Sequence, residues 1–175
     1  RSEIGVDYKV DLHDVVTEHD RRAEAEIRAF LNVEAPDSTV VGEEAGSSGE
    51  GRVRWYVDPI DGTSNFARGF AFWCVSIGAV IDDEIVAGAV LDPVAGHLFS
   101  ADRPGAWLND APIASRAAAD EQRATVITGY PISRDLKLDG RTVALERYGS
   151  LVDTFSTVRR PGSARSLNSA VSPRW

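Results

Sequence analysis

The chain has 175 residues, a net charge of -8 from 27 acidic and 19 basic side chains, and a hydrophobic fraction of 43%. These values predict one domain, or a large part of one, with a real core. The acidic balance disfavours nucleic acid as a partner, because phosphate backbones are bound by basic surfaces. The one cysteine, Cys74, allows no intramolecular disulfide, and no apolar run reaches the ~18 residues of a membrane span. We therefore expect a cytoplasmic protein that does not bind membranes.

The first element predicted is a helix over residues 17–34. Charged residues lie on one side of this helix, and apolar residues recur at helical spacing on the other: Ala23, Ile27, Phe30 and Leu31. Thr17 and Asp20 have the spacing of a capping box at the helix start. Short strands are predicted next, over 39–41 and 53–57, and the second is expected to end at Asp58.

A series of hairpins is predicted after the second strand. Two apolar runs meet at Asp82-Asp83 and a further pair meets at Asn109-Asp110, and both dipeptides are typical of tight turns. Apolar residues occupy both faces of the strands around the first turn, so a sheet covered on both sides is expected. A strand over 124–130, a helix over 141–151 and a strand over 154–158 follow. This order of elements predicts an α+β or mixed layered fold.

Two carboxylates, Asp58 and Asp61, follow an apolar strand and are separated only by Pro59 and Ile60. Held together and ionised, they repel each other, and a hard divalent cation such as Mg²⁺ removes that repulsion. Pro59 fixes one backbone angle, so the carbonyl of Ile60 could face the same ion. Gly62 permits a sharp turn, and the residues after it predict a short helix whose first N–H groups could hold a phosphate.

A purely structural interpretation stays open at this point. Asp-Pro and Asp-Gly are common turn dipeptides, and Glu43 and Glu44 are ordinary for a solvated loop in an acidic chain. Together with Asp58 and Asp61, however, these glutamates form a candidate carboxylate cluster. A two-metal phosphoryl site needs such a set, with ions ~4 Å apart and a bound water as the nucleophile.

The segments GEE and WYVDPIDGTSNFARGFAFWCVSIGAV resemble the inositol monophosphatase family of Mg²⁺-dependent phosphatases. Three further segments match in the same chain order. DVVTEHD resembles the family's helix-opening motif, GAWLNDAPI its hairpin with Asp110 in place of the usual Gly, and RRPGSA its substrate loop. The resemblance runs from about Lys9 to Ala164. It implies a layered α-β-α-β-α sugar-phosphatase fold, of which this chain holds mainly the N-terminal, antiparallel-sheet half.

The resemblance also implies a role for each matching residue. It assigns Glu43, Asp58 and the carbonyl of Ile60 to a first, catalytic metal, and Asp58 with Asp61 to a second. Glu43 and Thr63 would orient and deprotonate the attacking water. Asp20 is either a cap of the first helix or a residue near the site that affects an outer, weaker metal. Substrate contacts are implied for Ile60, Asp61, Gly62, Thr63, Gly162, Ser163 and Ala164.

The implied reaction is in-line attack of a metal-activated water on a phosphate monoester. We expect myo-inositol monophosphate as the substrate, Mg²⁺ as the cofactor and a homodimer as the assembly. Phosphatases of histidinol phosphate, fructose bisphosphate and nucleotide bisphosphates look similar, so these substrates stay open. A metal-binding protein without catalysis is the alternative from another class.

Other conspicuous residues have structural interpretations. His13, His19 and His97 share no motif, and an oxygen-preferring metal does not need them. Cys74 lies in an apolar strand and is expected in the core rather than as a nucleophile. Trp55 and Trp73 are expected to pack beside the site, and Lys9 to lie on the surface.

The family's pattern continues beyond its Gly-Ser-Ala loop to a Trp-Asp motif that completes the second metal site. No Trp-Asp pair occurs here, and the sequence holds no methionine. We expect a metal-binding phosphatase domain over 1–158 and the start of an incomplete substrate domain over 159–175, within a longer protein. A naturally truncated protein, or a disordered remainder, is the alternative.

Overall fold

The computed structural model describes residues 6–8, 15–115, 120–162 and 171–173. The strands are β1 Val6–Tyr8, β2 Val15–Thr17, β3 Ser38–Gly42, β4 Gly46–Ser48, β5 Val53–Asp61, β6 Cys74–Ile81, β7 Glu84–Asp92, β8 His97–Asp102, β9 Gly105–Leu108, β10 Ala111–Ser115, β11 Thr125–Ile127, β12 Thr157–Arg159 and β13 Val171–Pro173. The helices are α1 Glu18–Glu34, α2 Thr63–Ala67, α3 Ser133–Leu138 and α4 Arg141–Thr154, with a 3-10 turn at Glu121–Arg123.

The dominant element is a nine-stranded sheet with the order β13-β10-β9-β8-β7-β6-β5-β3-β4. Neighbouring strands are antiparallel except for β3 and β5, which are parallel. The predicted turns are confirmed: Asp82 and Asp83 have φ of 51° and 63°, and Asn109 and Asp110 have φ of 47° and 67°. Both dipeptides therefore adopt the left-handed backbone that two-residue hairpin turns require. The large sheet with few helices confirms the predicted α+β class.

Helix α1 begins as predicted, because the backbone N–H of Thr17 donates to Oδ2 of Asp20 at 2.8 Å. Its inward stripe, however, includes two carboxylates. Asp20 and Glu24 are each only 1% exposed, and they lie in line with Ile27 and Leu31 at helical spacing. Phe30 was predicted on this stripe and is 64% exposed instead, because it lies roughly 100° around the helix from Leu31.

The core forms where α1 packs on one face of β3 and β5. Leu31, Val40 and Val57 are buried there, with Ile27, Trp55 and Ile77 packed around them. The expected cover on both faces is not found in the described part of the chain. Tyr56 lies on the opposite face of β5 and is 40% exposed.

The sequence predicted that strand β5 ends at Asp58, and this prediction was wrong. The strand continues to Asp61 because a bulge lies between these two residues: Asp58 pairs with Ser76 and Asp61 pairs with Cys74. Three steps along β5 therefore match two steps along β6. Pro59, which has no N–H to donate, lies inside the bulge.

The last described elements are shorter or shifted relative to prediction. Strand β11 covers three residues and pairs in parallel with β12. It ends early because the N–H of Tyr130 donates to the hydroxyl of Thr128, which turns the chain. Helix α4 continues to Thr154, so β12 begins later than expected. Among the described helices, none is long and apolar enough to cross a membrane.

Candidate active site

The bulge in β5 places Asp58 and Asp61 on the same face of the sheet. In a regular strand, residues three positions apart point to opposite faces. Here Asp58 and Asp61 pair with Ser76 and Cys74, which are two positions apart and so share a face. This face borders an open cleft of about 440 Å³, lined by Val41, Gly42, Glu43, Tyr56, Val57, Asp58, Ser76 and Gly78.

Asp58 is the most perturbed carboxylate of the cleft. Burial raises the pKa of Asp58 to about 7, and the nearby carboxylates of Glu43 and Asp61 act in the same direction. Its Oδ1 is buried and has no hydrogen-bond partner within the described residues. A buried carboxylate oxygen of this kind is costly unless a proton or a cation occupies it.

Glu43 reaches this carboxylate from the turn between β3 and β4. Its side chain is exposed and lies within hydrogen-bonding reach of Asp58. Its backbone N–H donates to the carbonyl of Val57 at 3.2 Å. The pairing of β3 with β5 therefore brings together two acidic groups that lie 15 positions apart in the sequence.

Asp61 has a partner that the sequence did not reveal. The thiol of Cys74 is 0% exposed and lies 3.3 Å from Oδ2 of Asp61, close enough to donate a weak hydrogen bond. Cys74 is thus a core residue, as predicted, but one that touches the site. What reveals this contact is the pairing of Asp61 with Cys74 across the bulge, and that pairing can be seen only when the register of the two strands is known.

Thr63 connects the turn at Gly62 with helix α1. Its hydroxyl lies 3.0 Å from Oδ1 of Asp20 and 3.0 Å from the carbonyl of Ile60. A hydroxyl carries one proton, and the carboxylate is the stronger acceptor. Asp20 therefore caps α1 through one oxygen and lies at the candidate site through the other, while its effect on an outer metal stays a prediction.

Gly62 turns the chain from β5 into α2. Its φ is 92°, a left-handed conformation that glycine adopts without strain, and its carbonyl accepts from the N–H groups of Asn65 and Phe66. The short helix predicted here is confirmed as α2. Thr63 is its first residue, so the beginning of α2 lies beside Asp61 and Ile60.

The loop predicted to contact the substrate is described only as far as Gly162, and Ser163 and Ala164 lie outside the described residues, as do Lys9 and His13. The side chain of Asn65 contacts this loop, and the sequence did not predict that contact. Its Nδ2 donates to the carbonyl of Phe72 at 2.7 Å and to that of Pro161 at 2.9 Å. The side chain of one residue in α2 therefore holds the chain just before Gly162.

The remaining residues have structural surroundings. Trp55 packs against the core, and Trp73 contacts Phe66 edge to face with ring centroids 4.9 Å apart. His19 lies edge-on to Phe66 at 5.6 Å, and His97 lies next to Phe99. None of these contacts involves the carboxylates of the cleft.

The donor set fits a hard divalent cation. All candidate ligands are oxygens, and Oδ1 of Asp58, which has no hydrogen-bond partner among the described residues, belongs to a carboxylate that interacts with both Glu43 and Asp61. In the described ranges, no group of three or more His, Cys, Asp or Glu side chains meets the geometric requirements of a ready ligand set. Glu43, Asp58 and Asp61 would therefore have to rearrange to hold a shared ion.

Comparison with known proteins agrees with this fold. The model of the inositol monophosphatase family matches residues 1–168. The chain is 37% identical over 154 residues to inositol-1-monophosphatase of Synechocystis, a match that covers 86% of this chain and 53% of that protein. The chain belongs to the inositol monophosphatase family.

Two further relatives carry a different name. The chain is 38% identical to Nus factor SuhB of Pseudomonas aeruginosa over 159 residues, covering 88% of this chain and 58% of the relative. The crystal structure of extragenic suppressor protein SuhB from Bartonella henselae superposes with a TM-score of 0.82 at 31% identity, covering 92% of this chain and 61% of that chain. The chain spans about half the length of the curated relatives it matches.

Proposed function

We propose that the protein hydrolyses a phosphate monoester with the help of Mg²⁺, and that myo-inositol monophosphate is the substrate. The observation that carries this proposal is the bulge in β5, which directs Asp58 and Asp61 to one face beside Glu43. Carboxylates arranged in this way bind a divalent cation, and an acidic cleft needs such a cation to accept an anionic substrate. The family membership supports the same reaction class.

Two metal sites are proposed on the oxygens that the family resemblance names. Glu43, Asp58 and the carbonyl of Ile60 would hold a first Mg²⁺, and Asp58 with Asp61 would share a second. When bound, Mg²⁺ neutralises the carboxylates and the phosphate and makes a nearby water more acidic.

The chain's own groups then orient and deprotonate the water. With its proton directed to Asp20, the hydroxyl of Thr63 has lone pairs free to accept from that water. Glu43 accepts the proton as the water oxygen bonds to phosphorus and the ester P–O bond breaks. The electron pair of that bond leaves with the alcohol oxygen, which takes up a proton from solvent. No protein nucleophile is required.

Substrate contacts would come from the bulge, from α2 and from the loop at Gly162. The backbone from Ile60 to Thr63 would bind the phosphate, and Gly162 with Ser163 and Ala164 would contact the polyol. Asn65 supports this arrangement because it links α2 to Pro161. We further propose that the protein acts in the cytoplasm and forms a homodimer.

Other phosphate esters are the alternative substrates. Histidinol phosphate, fructose 1,6-bisphosphate and nucleotide bisphosphates offer the same reacting group, and the name Nus factor of one relative is a reminder that a shared family does not fix a shared role. The test is phosphate release from each of these esters and from myo-inositol 1-phosphate, with Mg²⁺ and with a chelator. A higher kcat/KM for another ester would reject the inositol assignment. Chelator-resistant release would reject the metal-dependent mechanism.

A further inference from the structure

The proposed mechanism leaves one buried charge in α1 unused. Glu24 is 1% exposed and is among the largest fully buried side chains of the described residues. Burial raises the pKa of this carboxyl, but hydrogen bonds from Arg28 and from the N–H groups of Glu44 and Ala45 outweigh it and hold the pKa below its ordinary value. Glu24 is therefore an ionised carboxylate in the interior.

Glu24 binds the turn that carries Glu43. Its Oε2 accepts from the N–H of Glu44 at 2.6 Å, and its Oε1 accepts from the N–H of Ala45 at 3.0 Å. The preceding N–H, of Glu43, donates to the carbonyl of Val57. Three consecutive amides are thus fixed, one by β5 and two by Glu24, and Glu43 lies at the junction.

The close fit between Glu24 and this turn depends on a glycine. A Cβ added to Gly42 would overlap the carboxyl group of Glu24. Gly42 itself is buried at the end of β3, directly before Glu43. The absence of a side chain at this position is what lets the carboxylate reach the amides beyond it.

Arg28 completes the arrangement from the next turn of α1. Its Nη2 lies 2.7 Å from Oε1 of Glu24 and donates to the carbonyl of Gly46 at 2.9 Å. Its Nη1 donates to the carbonyl of Val40 at 3.0 Å. The Glu24–Arg28 pair therefore contacts the strand before Glu43, the turn itself and the strand after it.

We infer that Glu24 is a positioning residue that holds the β3–β4 turn so that Glu43 points at Asp58. This inference rests on the proposed function, because Glu43 is the proposed ligand and base. Glu24 acts only through Glu43 and touches neither substrate nor metal. Supporting groups of this kind typically change metal affinity or activity by about 10- to 100-fold when they are removed.

The test compares Glu24→Gln and Glu24→Asp with the wild type and with Glu26→Gln. Glutamine keeps the shape of Glu24 but turns one acceptor into a donor that faces an N–H or Arg28. Aspartate keeps the charge next to Arg28 but is one methylene too short to reach both amides, so it guards against a failure of the glutamine variant to fold. Glu26 lies on the exposed side of the same helix, paired with Arg22, and is the matched control.

The primary readout is the Mg²⁺ dissociation constant by calorimetry without substrate, on folded protein at pH 7.5. We expect it to rise at least about tenfold in Glu24→Asp and Glu24→Gln and to stay unchanged in Glu26→Gln. The second readout is amide hydrogen exchange, which should speed up at Glu44 and Ala45 in both Glu24 variants.

The outcomes separate this inference from the proposed function. Wild-type Mg²⁺ affinity in folded Glu24→Asp would overturn the positioning role, even if the melting temperature falls. A tenfold weaker affinity combined with no phosphate release by the wild type would uphold the positioning role and reject the phosphatase. Absence of Mg²⁺ binding by the wild type would overturn both.

Discussion

The hydroxyl of Thr63 lies 3.0 Å from Oδ1 of Asp20, a residue 43 positions earlier in the chain. The other oxygen of Asp20 accepts from the N–H of Thr17 and caps α1. One carboxylate therefore caps the start of a helix and accepts the hydrogen bond of a hydroxyl in the proposed active site. The direction of that proton decides whether Thr63 can accept from a water.

Thr63→Val should lower kcat by at least about 100-fold, because the attacking water loses the hydroxyl that orients it. Thr63→Ser should retain most of the activity, since it keeps the hydroxyl. Steady-state phosphate release measures both. Thr17→Ala is the control: it should lower the free energy of unfolding by about 1 kcal/mol while leaving kcat near the wild-type value. A Thr63→Val enzyme as active as Thr63→Ser would contradict the role of this hydroxyl.

Asp58→Asn should raise the melting temperature of the protein in a chelator and abolish its stabilisation by Mg²⁺. The substitution removes a buried charge that Glu43 and Asp61 repel. The wild type should gain about 2.7 kcal/mol from Mg²⁺ at 100 times the dissociation constant, and the variant should gain almost nothing. Thermal unfolding at pH 8 with and without Mg²⁺ measures both effects. Equal stabilisation of both proteins by Mg²⁺ would place the cation elsewhere.

Asn65→Ala should raise KM more than it lowers kcat, because it frees the chain before Gly162 from α2. The carbonyls of Phe72 and Pro161 both lose the hydrogen bond that Asn65 donates. Ser64→Ala is the matched control in the same helix, since the hydroxyl of Ser64 contacts Arg68 on the surface. Initial rates over a range of substrate concentrations separate KM from kcat. An unchanged KM in Asn65→Ala would show that this link does not shape the substrate site.

Cys74→Ala should keep kcat within about tenfold of the wild type, whereas loss of a covalent nucleophile costs on the order of 10⁴–10⁶. The thiol is buried and donates a weak hydrogen bond to Asp61, a contact that supports the site without attacking the substrate. The same assay, together with mass spectrometry of the protein quenched during turnover, checks this. A phosphorylated Cys74, or a loss of several orders of magnitude, would contradict attack by water.

Acid should destabilise the wild type more steeply than Glu24→Gln. The folded-state pKa of Glu24 is lowered, so its stabilising effect is present above the unfolded value of 4.5 and is lost as pH falls through the folded value. At pH 7 the Glu24→Gln variant should be less stable than the wild type, but its stability should not fall with the protonation of residue 24. Denaturant unfolding at steps from pH 6 down to acid measures the difference between the two proteins, which should shrink below pH 4.5. A difference that stays constant over this range would mean that folding does not lower the pKa of Glu24.

The sequence predicted those features that depend on short-range chemistry. Asp82-Asp83 and Asn109-Asp110 form turns because these residues tolerate a left-handed backbone, and Thr17 with Asp20 forms the cap. The family resemblance identified Asp58 and Asp61 as candidate metal ligands, and the structure shows why they share a face. The bulge that does this depends on the register with β6, which periodicity within β5 does not contain.

Features that depend on distant partners were missed. The sequence did not single out Glu24, because its partners, the N–H groups of Glu44 and Ala45, are 20 and 21 positions away. Its spacing of four from Asp20 was the available signal, since both then lie on one side of the helix. Phe30 shows the opposite error, because an apolar residue at helical spacing was assigned to the core and is exposed.

The most direct test of the account is the initial rate of phosphate release from myo-inositol 1-phosphate as a function of Mg²⁺ concentration, for the wild type and for Asp61→Asn. The account predicts saturable activation of the wild type by Mg²⁺ and a rate at least about 100-fold lower in Asp61→Asn at every concentration. Release that does not depend on Mg²⁺, or that survives in Asp61→Asn, would contradict the claim that the carboxylates joined by the bulge hold the catalytic metal.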